Sequence, residues 1–472
     1  MHIIINTHIQ ERRGKPAIWL EGKRLANAFL PNELYRKHLD IANGRLRLIK
    51  VTEDTDADGR VSVRNPRKGT IGEPKPLLEL RDEDLLKVFW VGCKLRIIVS
   101  KHGIEVTLHS GEVQRKERAE RMQSKLASGE TLVCGSQYTG AGILDNAIHQ
   151  GLKLSGFDSY LKVAVESEPT YVDVFLRNQS ELLRDDSIII NSSDRDIDFK
   201  GECKLDVFVA GIPCTAASKA GKSKKKLSIA EDDESAGDCF FHTLNFVKQT
   251  QPWLVIFENV MDYASTASFA VISSVMAGWG YRMSQSCING NEMGALENRD
   301  RLSVVFITDV DHVDMTFDFS LVVPLRQKEA SIAEVLVSLP EESEEWKLYE
   351  YLALKESRDK ADNKGFKRSM YNGNESSVTT IRRLYHKGGS CDQYLQSPYS
   401  IEHSRLFLPI EHAKLKTIPF NFVEGVCRTT QHELLGQSVI YCAFIALAKA
   451  IGQFIRVQTS FLLQSQKSQV AA

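Results

Sequence analysis

The sequence predicts an α/β protein: an open sheet of buried, mostly parallel strands with helices around it, preceded by a smaller β-rich domain. Three observations predict it. From residue 131 onward, short apolar runs alternate with helix-length stretches. Those runs stop abruptly at glycine, proline or an acid, which is how buried parallel strands end where they meet ligands. Before residue 110 the apolar residues instead alternate with polar ones between closely spaced turns. The chain has 472 residues, enough for two or three domains. Its 26% charged and 42% hydrophobic content is that of an ordinary globular protein. The formal net charge is -1, so any nucleic-acid contact must come from local basic patches. Nine cysteines without CxxC or Cys/His spacing argue against zinc and against a disulfide framework. Reduced thiols in a cytoplasmic setting are expected, with no metal. No signal peptide and no apolar run long enough to span a bilayer are read, so no membrane partner is expected.

Taken in order, residues 1–110 read as β. Ala17–Leu20, Arg45–Lys50, Arg60–Arg64 and Leu95–Ser100 alternate, with turns at Asp58-Gly59 and Asn65-Pro66. The stretch Ile18-Trp-Leu-Glu-Gly-Lys-Arg-Leu25 resembles the swapped-hairpin domains of bacterial antitoxin-like DNA binders. The other reading is a packing or dimerisation module, through which the protein would self-dimerise. Residues 111–130 carry Arg, Lys and Glu at helical spacing and read as a solvated linker helix. Its Arg115, Lys116, Arg118 and Arg121 are candidates for nucleic-acid contact.

Thr131–Cys134 then reads as a strand, Tyr138-Thr-Gly140-Ala141-Gly142 as a turn, and Ile143–Leu154 as a helix. Glycines let the backbone approach a ligand, and the helix N-terminus offers free N–H groups. A second strand, Leu161–Val165, ends at Glu166, where an acid can bind ribose hydroxyls. A third, Ser187–Ile190, leads to Asp194, with Asp196 close enough to compete. The run Asp206–Ile212 stops at Pro213-Cys214, and Trp253–Phe257 stops at Glu258-Asn259-Val260. A thiol and a carboxylic acid at neighbouring strand ends can make and break a covalent bond while passing a proton.

With these elements placed, residues from about 131 to 457 resemble the DNA cytosine-5 methyltransferases, motif by motif and in the family's order. Tyr138-x-Gly140-x-Gly142 is similar to the Phe-x-Gly-x-Gly cofactor turn. Pro213-Cys214 with Ser218 and Gly221 resembles the Pro-Cys-Gln-x-x-Ser-x-x-Gly loop. Glu258-Asn259-Val260 matches the family's acid motif. Gly294, Arg299 and Arg301 fit Gly…Gln-x-Arg-x-Arg. Gly436-Gln437-Ser438-Val439 resembles Gly-Asn-Ser-Val. The resemblance implies a Rossmann-like class I methyltransferase fold with a small target recognition domain. The implied boundaries are a core at 131–308, recognition at 309–404, a returning segment at 405–460 and a tail at 461–472.

It further implies S-adenosylmethionine as cofactor, held by Tyr138, Gly140, Ala141, Gly142, Glu166, Ser167, Asp194, Pro213, Gln437 and Ser438. Cys214 is the implied nucleophile, Glu258 the acid at cytosine N3, and Arg301 the group at O2. Arg299 is assigned to a phosphate. Double-stranded DNA is the implied partner, touched by Ser218, Lys219, Lys222, Lys224, Arg382 and Arg383. Its target is expected to be short or relaxed and its setting bacterial and nucleoid-associated. The chain departs from the family at Thr215, Glu297, Gln437 and Ser167, and in Ile410–Lys416, where Lys416 replaces a glutamine. An RNA cytosine methyltransferase and a catalytically silent DNA-binding regulator are the competing readings.

Overall fold

Seven strands form the sheet that the apolar runs of the second half predict. They are β11 (Leu132–Gln137), β12 (Ser159–Glu166), β13 (Ile188–Asn191), β14 (Val207–Gly211), β15 (Leu254–Asn259), β16 (Tyr281–Asn289) and β18 (Asp300–Thr308). The computed structural model describes residues 1–66, 73–197, 203–213, 230–233, 236–363 and 367–470, with backbone alone at 230 and 461–470. The sheet order is β13-β12-β11-β14-β15-β18-β16. The first five strands are parallel, and β18 inserts antiparallel between β15 and β16. This is a Rossmann-like sheet with one antiparallel insert. Its order reverses between β11 and β14, which opens a crevice at their carboxyl ends. Residues in β14 and β15 are almost wholly buried, as both faces are covered by helices.

The antiparallel edge was not anticipated, because nothing in Asp300–Thr308 distinguishes an antiparallel buried run from a parallel one. Elsewhere strands lie within a few residues of expectation, and the Ile143–Leu154 helix is as expected.

The chain divides into compact units Met1–Glu117 and Arg118–Ala472. The first is β-rich, as expected. One sheet runs β1-β9-β10-β5-β4-β6, using His2–His8, Lys94–Ser100, Gly103–Leu108, Arg45–Val51, Leu34–Asp40 and Gly59–Arg60. The other runs β2-β3-β8-β7, using Gln10–Arg12, Lys15–Glu21, Lys75–Arg81 and Ser62–Arg64.

The expected linker is a helix, Ser110–Ser128, but it is not solvated throughout. Arg118 is 1% exposed and donates to Thr308 Oγ1, Gln251 Oε1 and the Trp279 carbonyl. Arg121 donates to the Leu205 carbonyl and lies 3.5 Å from Asp206. These guanidiniums tie down strand ends, so Arg118 and Arg121 are not nucleic-acid contacts. Charge at helical spacing did not distinguish an internal strut from a solvated face.

One further correction concerns the last helices. The segment Arg428–Ser460 is long and apolar enough to cross a membrane by composition, with a mean hydropathy of 1.8 over an 18-residue window. However, 78% of that window is buried within the protein, where Phe444, Leu447, Ile451 and Ile455 pack into the core. It is the core helix of this fold, which follows the cofactor-turn helix Ile143–Leu154 closely: a Cβ on Gly151 would lie 2.4 Å from the Ile445 carbonyl.

Beneath the recognition segment, His412 and His432 stack with Nδ1 atoms 3.1 Å apart, fully buried. Burial pulls His432 down to about 3 and His412 well below its ordinary value. Both are neutral when folded and must charge on acid unfolding. Their stabilisation is therefore complete above about pH 6.5 and is lost as pH falls towards the folded values. A His412→Gln/His432→Gln variant is expected to flatten the acid limb of stability by about 2.7 kcal/mol per pH unit, that is, about 1.4 for each histidine. Urea unfolding at pH 4 to 6 checks this.

Candidate active site

The site is built where β11, β14 and β15 end. The turn after β11 is tight: Tyr138, Gly140 and Gly142 all have positive φ (60°, 57° and 71°). A Cβ on Gly142 would lie 2.6 Å from the Phe175 ring, so only glycine lets the helix pack there. Among the described residues, the same atom at Gly140 would meet only Gln437 Nε2, at 3.8 Å, so they leave the space above the turn open, with the Gly436–Val439 motif against it. Glu166, at the end of β12, accepts from Gly140 N at 2.8 Å and from Glu168 N at 2.9 Å. Ser167 is exposed beside it, its hydroxyl 3.4 Å from Glu166 Oε1. Tyr138 donates to Asp194 Oδ2 at 2.7 Å, while Asp196 is exposed. Burial pushes the Tyr138 phenol well above its usual value, so it stays a donor.

This cradle fits a nucleoside-bearing cofactor. It offers an open glycine turn, a helix N-terminus and a carboxylate whose remaining lone pairs can accept hydroxyls. Gly142→Ala should forfeit cofactor binding and destabilise the fold by about 2–4 kcal/mol, the sum of left-handed strain and overpacking. Isothermal titration and thermal melting check this.

The acid lies one strand away. Gly211 and Glu258 are register partners in the β14–β15 ladder. A Cβ on Gly211 would lie 3.5 Å from Glu258 Oε2 and 3.9 Å from Leu144 Cδ2. The carboxyl, the strand leading to Pro213 and the first turn of the cofactor helix therefore meet at one point. Glu258 Oε1 takes Arg301 Nε at 2.7 Å, with the two side chains only 12% and 13% exposed. Arg301 comes from β18, the antiparallel insert, which is what sets it beside β15. Asn259 ties the site together: its Nδ2 donates to the Ile212 carbonyl at 3.2 Å, fixing where the chain leaves towards Cys214. Its amide role was not anticipated, though Asn259 sits within the Glu-Asn-Val motif. Cys214, Ser218, Lys219, Lys222 and Lys224 lie outside the described residues.

Arg299 does not join the acid. It is 3% exposed and its fork is used internally, on Glu297 Oε1 (3.2 Å), the Ile381 carbonyl (3.2 Å) and the Gly436 carbonyl (3.1 Å). Burial, then neighbouring Arg301, pull it down to about 10. It is a strut joining three segments, and the expected phosphate contact is corrected accordingly.

Glu297 also receives Lys416, Nζ to Oε1 at 3.5 Å, both 0% exposed. Two departures from the family pattern thus meet in one ion pair, where the pattern has two amides. Lys416 also donates to the carbonyl of Ser438 at 3.4 Å, while the Ser438 hydroxyl donates to the Leu434 carbonyl.

In the stretch 309–404, Val378–Thr379 pairs with β17 (Glu297–Asn298), docking that stretch onto the core. Gly436 abuts it so closely that a Cβ would lie 2.4 Å from the Arg382 carbonyl. The Arg382 side chain is 54% exposed and holds Asp392 at 2.7 Å. Arg383 instead donates to the Tyr171 hydroxyl at 2.9 Å, so its fork is turned towards the helix Pro169–Asn178.

Comparison with known proteins points to one family. The family model described as C-5 cytosine-specific DNA methylase matches residues 140–453. The type II methyltransferase M1.ScrFI of Lactococcus lactis subsp. cremoris is 26% identical over 261 residues, 54% of this chain and 64% of that protein. M.SsoII of Shigella sonnei is 25% identical over 265 residues, 54% of this chain and 66% of that protein. The chain therefore spans just under two-thirds of each of these relatives. Among solved structures, S. pombe Dnmt2 methyltransferase superposes with a TM-score of 0.52 at 17% identity, covering 70% of this chain and 99% of that one. Entamoeba histolytica methyltransferase EhMeth gives 0.52 at 15%, covering 68% and 98%. At such identity the likeness is one of fold.

Proposed function

Because the chain belongs to the C-5 cytosine-specific DNA methylase family, we propose that it methylates C5 of cytosine in double-stranded DNA. The observation that carries this is the Glu258–Arg301 pair beside the strand end that delivers Pro213-Cys214, against the open glycine turn. S-adenosylmethionine, when bound, supplies an electrophilic methyl group. Glu166, Asp194, the Tyr138–Gly142 turn and the Gln437 amide would hold it.

Cytosine C5 is a poor nucleophile, and C6 cannot be reached inside a duplex, so the base is flipped out. The Cys214 thiolate adds to C6, and the electron pair moves to make C5 nucleophilic. Glu258 donates a proton or hydrogen bond to N3, taking up the charge pushed into the ring. Arg301 holds Glu258 by Nε and the Asp300 carbonyl by Nη1, which leaves Nη2 to reach O2 of the base. After C5 is methylated, its proton passes to a water molecule and Cys214 is eliminated. It leaves as the thiolate, and N3 returns its proton to Glu258.

The short recognition segment and the half-exposed Arg382 support a short or relaxed target. Transfer of tritium from labelled cofactor to duplex DNA, with tRNA in parallel, tests the reading. Incorporation into DNA at cytosine is expected, and incorporation into tRNA alone would overturn it. A base-resolution methylome of an expressing host then reads the target, and a long strict palindrome would remove the relaxed-target part.

A further inference from the structure

The N-terminal unit is an internal duplication. Lys15-Pro16, Ile18, Leu20, Leu25 and Phe29 are matched by Lys75-Pro76, Leu78, Leu80, Leu85 and Phe89, each 60 positions later. The two copies interlock about one axis. In the β3–β8 ladder Trp19 faces Glu79, and in the β5–β10 ladder Leu46 faces Val106. Both pairs are themselves 60 positions apart, so each antiparallel ladder is crossed by the same pseudo-two-fold. The two copies share one core: Ile18, Leu20, Leu78 and Leu80 are all buried in it.

The outward face of the β2-β3-β8-β7 sheet is basic, and symmetrically so. Arg12 stands opposite Lys15 in the β2–β3 ladder, and Arg64 opposite Lys75 in the β7–β8 ladder. Partners directly opposite point to the same face, and like charges so placed destabilise a sheet. The fold nevertheless builds this arrangement twice, at positions exchanged by the axis. Lys15, Arg64 and Lys75 are exposed, while Arg12 is half-buried over the Trp19 ring, 3.9 Å from its centroid. Acids at the rim make only surface pairs: Glu21 with Arg64, Glu83 with Lys15 at 3.1 Å, Glu79 with Arg81 at 3.3 Å. Such pairs are worth little and exchange readily for phosphate.

Charge is partitioned the same way. Residues 1–110 hold 20 Lys and Arg against 14 Asp and Glu, leaving 40 against 47 in the rest of the chain. The part that carries the reaction is thus net acidic, although its proposed substrate is a polyanion.

We propose that this sheet face is a second contact for duplex DNA, made to backbone phosphates without reading sequence, through two equivalent Arg–Lys pairs. The choice of DNA rests on the function proposed above. Strand geometry sets Lys15 and Lys75 roughly 27 Å apart across the axis. That lies within one turn of duplex, about 34 Å, whose local two-fold axes suit a symmetric face. The duplication also supplies within a single chain the symmetric pairing that a self-dimer would otherwise provide.

The test uses full-length protein and an A·T-only duplex, which holds no cytosine and so reports backbone binding alone. Arg12→Gln/Lys15→Gln and Arg64→Gln/Lys75→Gln should each lower the slope of log Kd against log salt by about 1.8, and the quadruple variant by about 3.6. Thermal midpoints should hold or rise, since like-charge repulsion is removed. Turnover at saturating cytosine-containing DNA should be unchanged. If the quadruple variant melts early, the two double variants carry the comparison. An unchanged slope overturns the proposal, and a loss confined to one pair overturns its symmetry. Failure of methylation with the slopes changed as expected would remove the catalytic reading instead.

Discussion

Alanine in place of Cys214 is expected to abolish methyl transfer while cofactor binding and duplex binding persist. In the proposed reaction the thiolate is the group that converts C5 into a nucleophile. Loss of a covalent nucleophile costs an enzyme orders of magnitude in turnover, not a fraction of it. Glu258→Gln should leave a smaller but still large defect, about 10²–10⁴-fold, because the amide can hydrogen-bond N3 but cannot protonate it. The two variants separate on duplex carrying 5-fluorocytosine. Glu258→Gln should still form the covalent complex slowly, and Cys214→Ala should form none. A Cys214→Ala protein that methylates would withdraw the mechanism. Arg301→Lys should fall between the two, since the Nε contact at 2.7 Å on Glu258 needs a planar fork.

The second large effect is on stability. Glu297 holds two buried cations, Arg299 at 3.2 Å and Lys416 at 3.5 Å. Burial first, then Arg299, push Lys416 well below its ordinary value. Glu297→Gln therefore removes the carboxylate that both buried basic groups share, at a cost of about 3–5 kcal/mol. Lys416→Gln should do far less, because Glu297 keeps Arg299. Glu297→Gln/Lys416→Gln restores two amides like those of the family pattern and should recover most of the loss. Denaturant unfolding of the four proteins forms a double-mutant cycle with a coupling of several kcal/mol expected. Additive losses would mean that the two substitutions are independent after all. The same cycle read in kcat would show whether this network also steadies Arg301, which lies on β18 two positions beyond the strut Arg299.

The catalytic half was largely legible because its signals are local. The Gly140 and Gly142 turn, the strand ends at Gly211 and Asn259 and the helix Ile143–Leu154 each follow from neighbouring residues in the chain. What went unread depended on distant partners. Arg118, Arg121 and Arg299 look like surface cations in sequence and become internal ties only when Thr308, Asp206 and Gly436 arrive beside them. The duplication was legible in principle, as a 60-residue echo of Lys-Pro and alternating leucines, but its amplitude is low because only the buried positions repeat.

By itself, the sequence determined the order of strand, turn and acid, and hence the family and the residues with the chemistry to react. Which charges are free to meet DNA was decided only by the tertiary structure. Periodicity and turn residues fix local backbone, whereas the fate of a cation depends on desolvation and on partners a hundred residues away. That is why Glu258 and Arg301 could be named in advance, while the pairing of Glu297 with Lys416 could not.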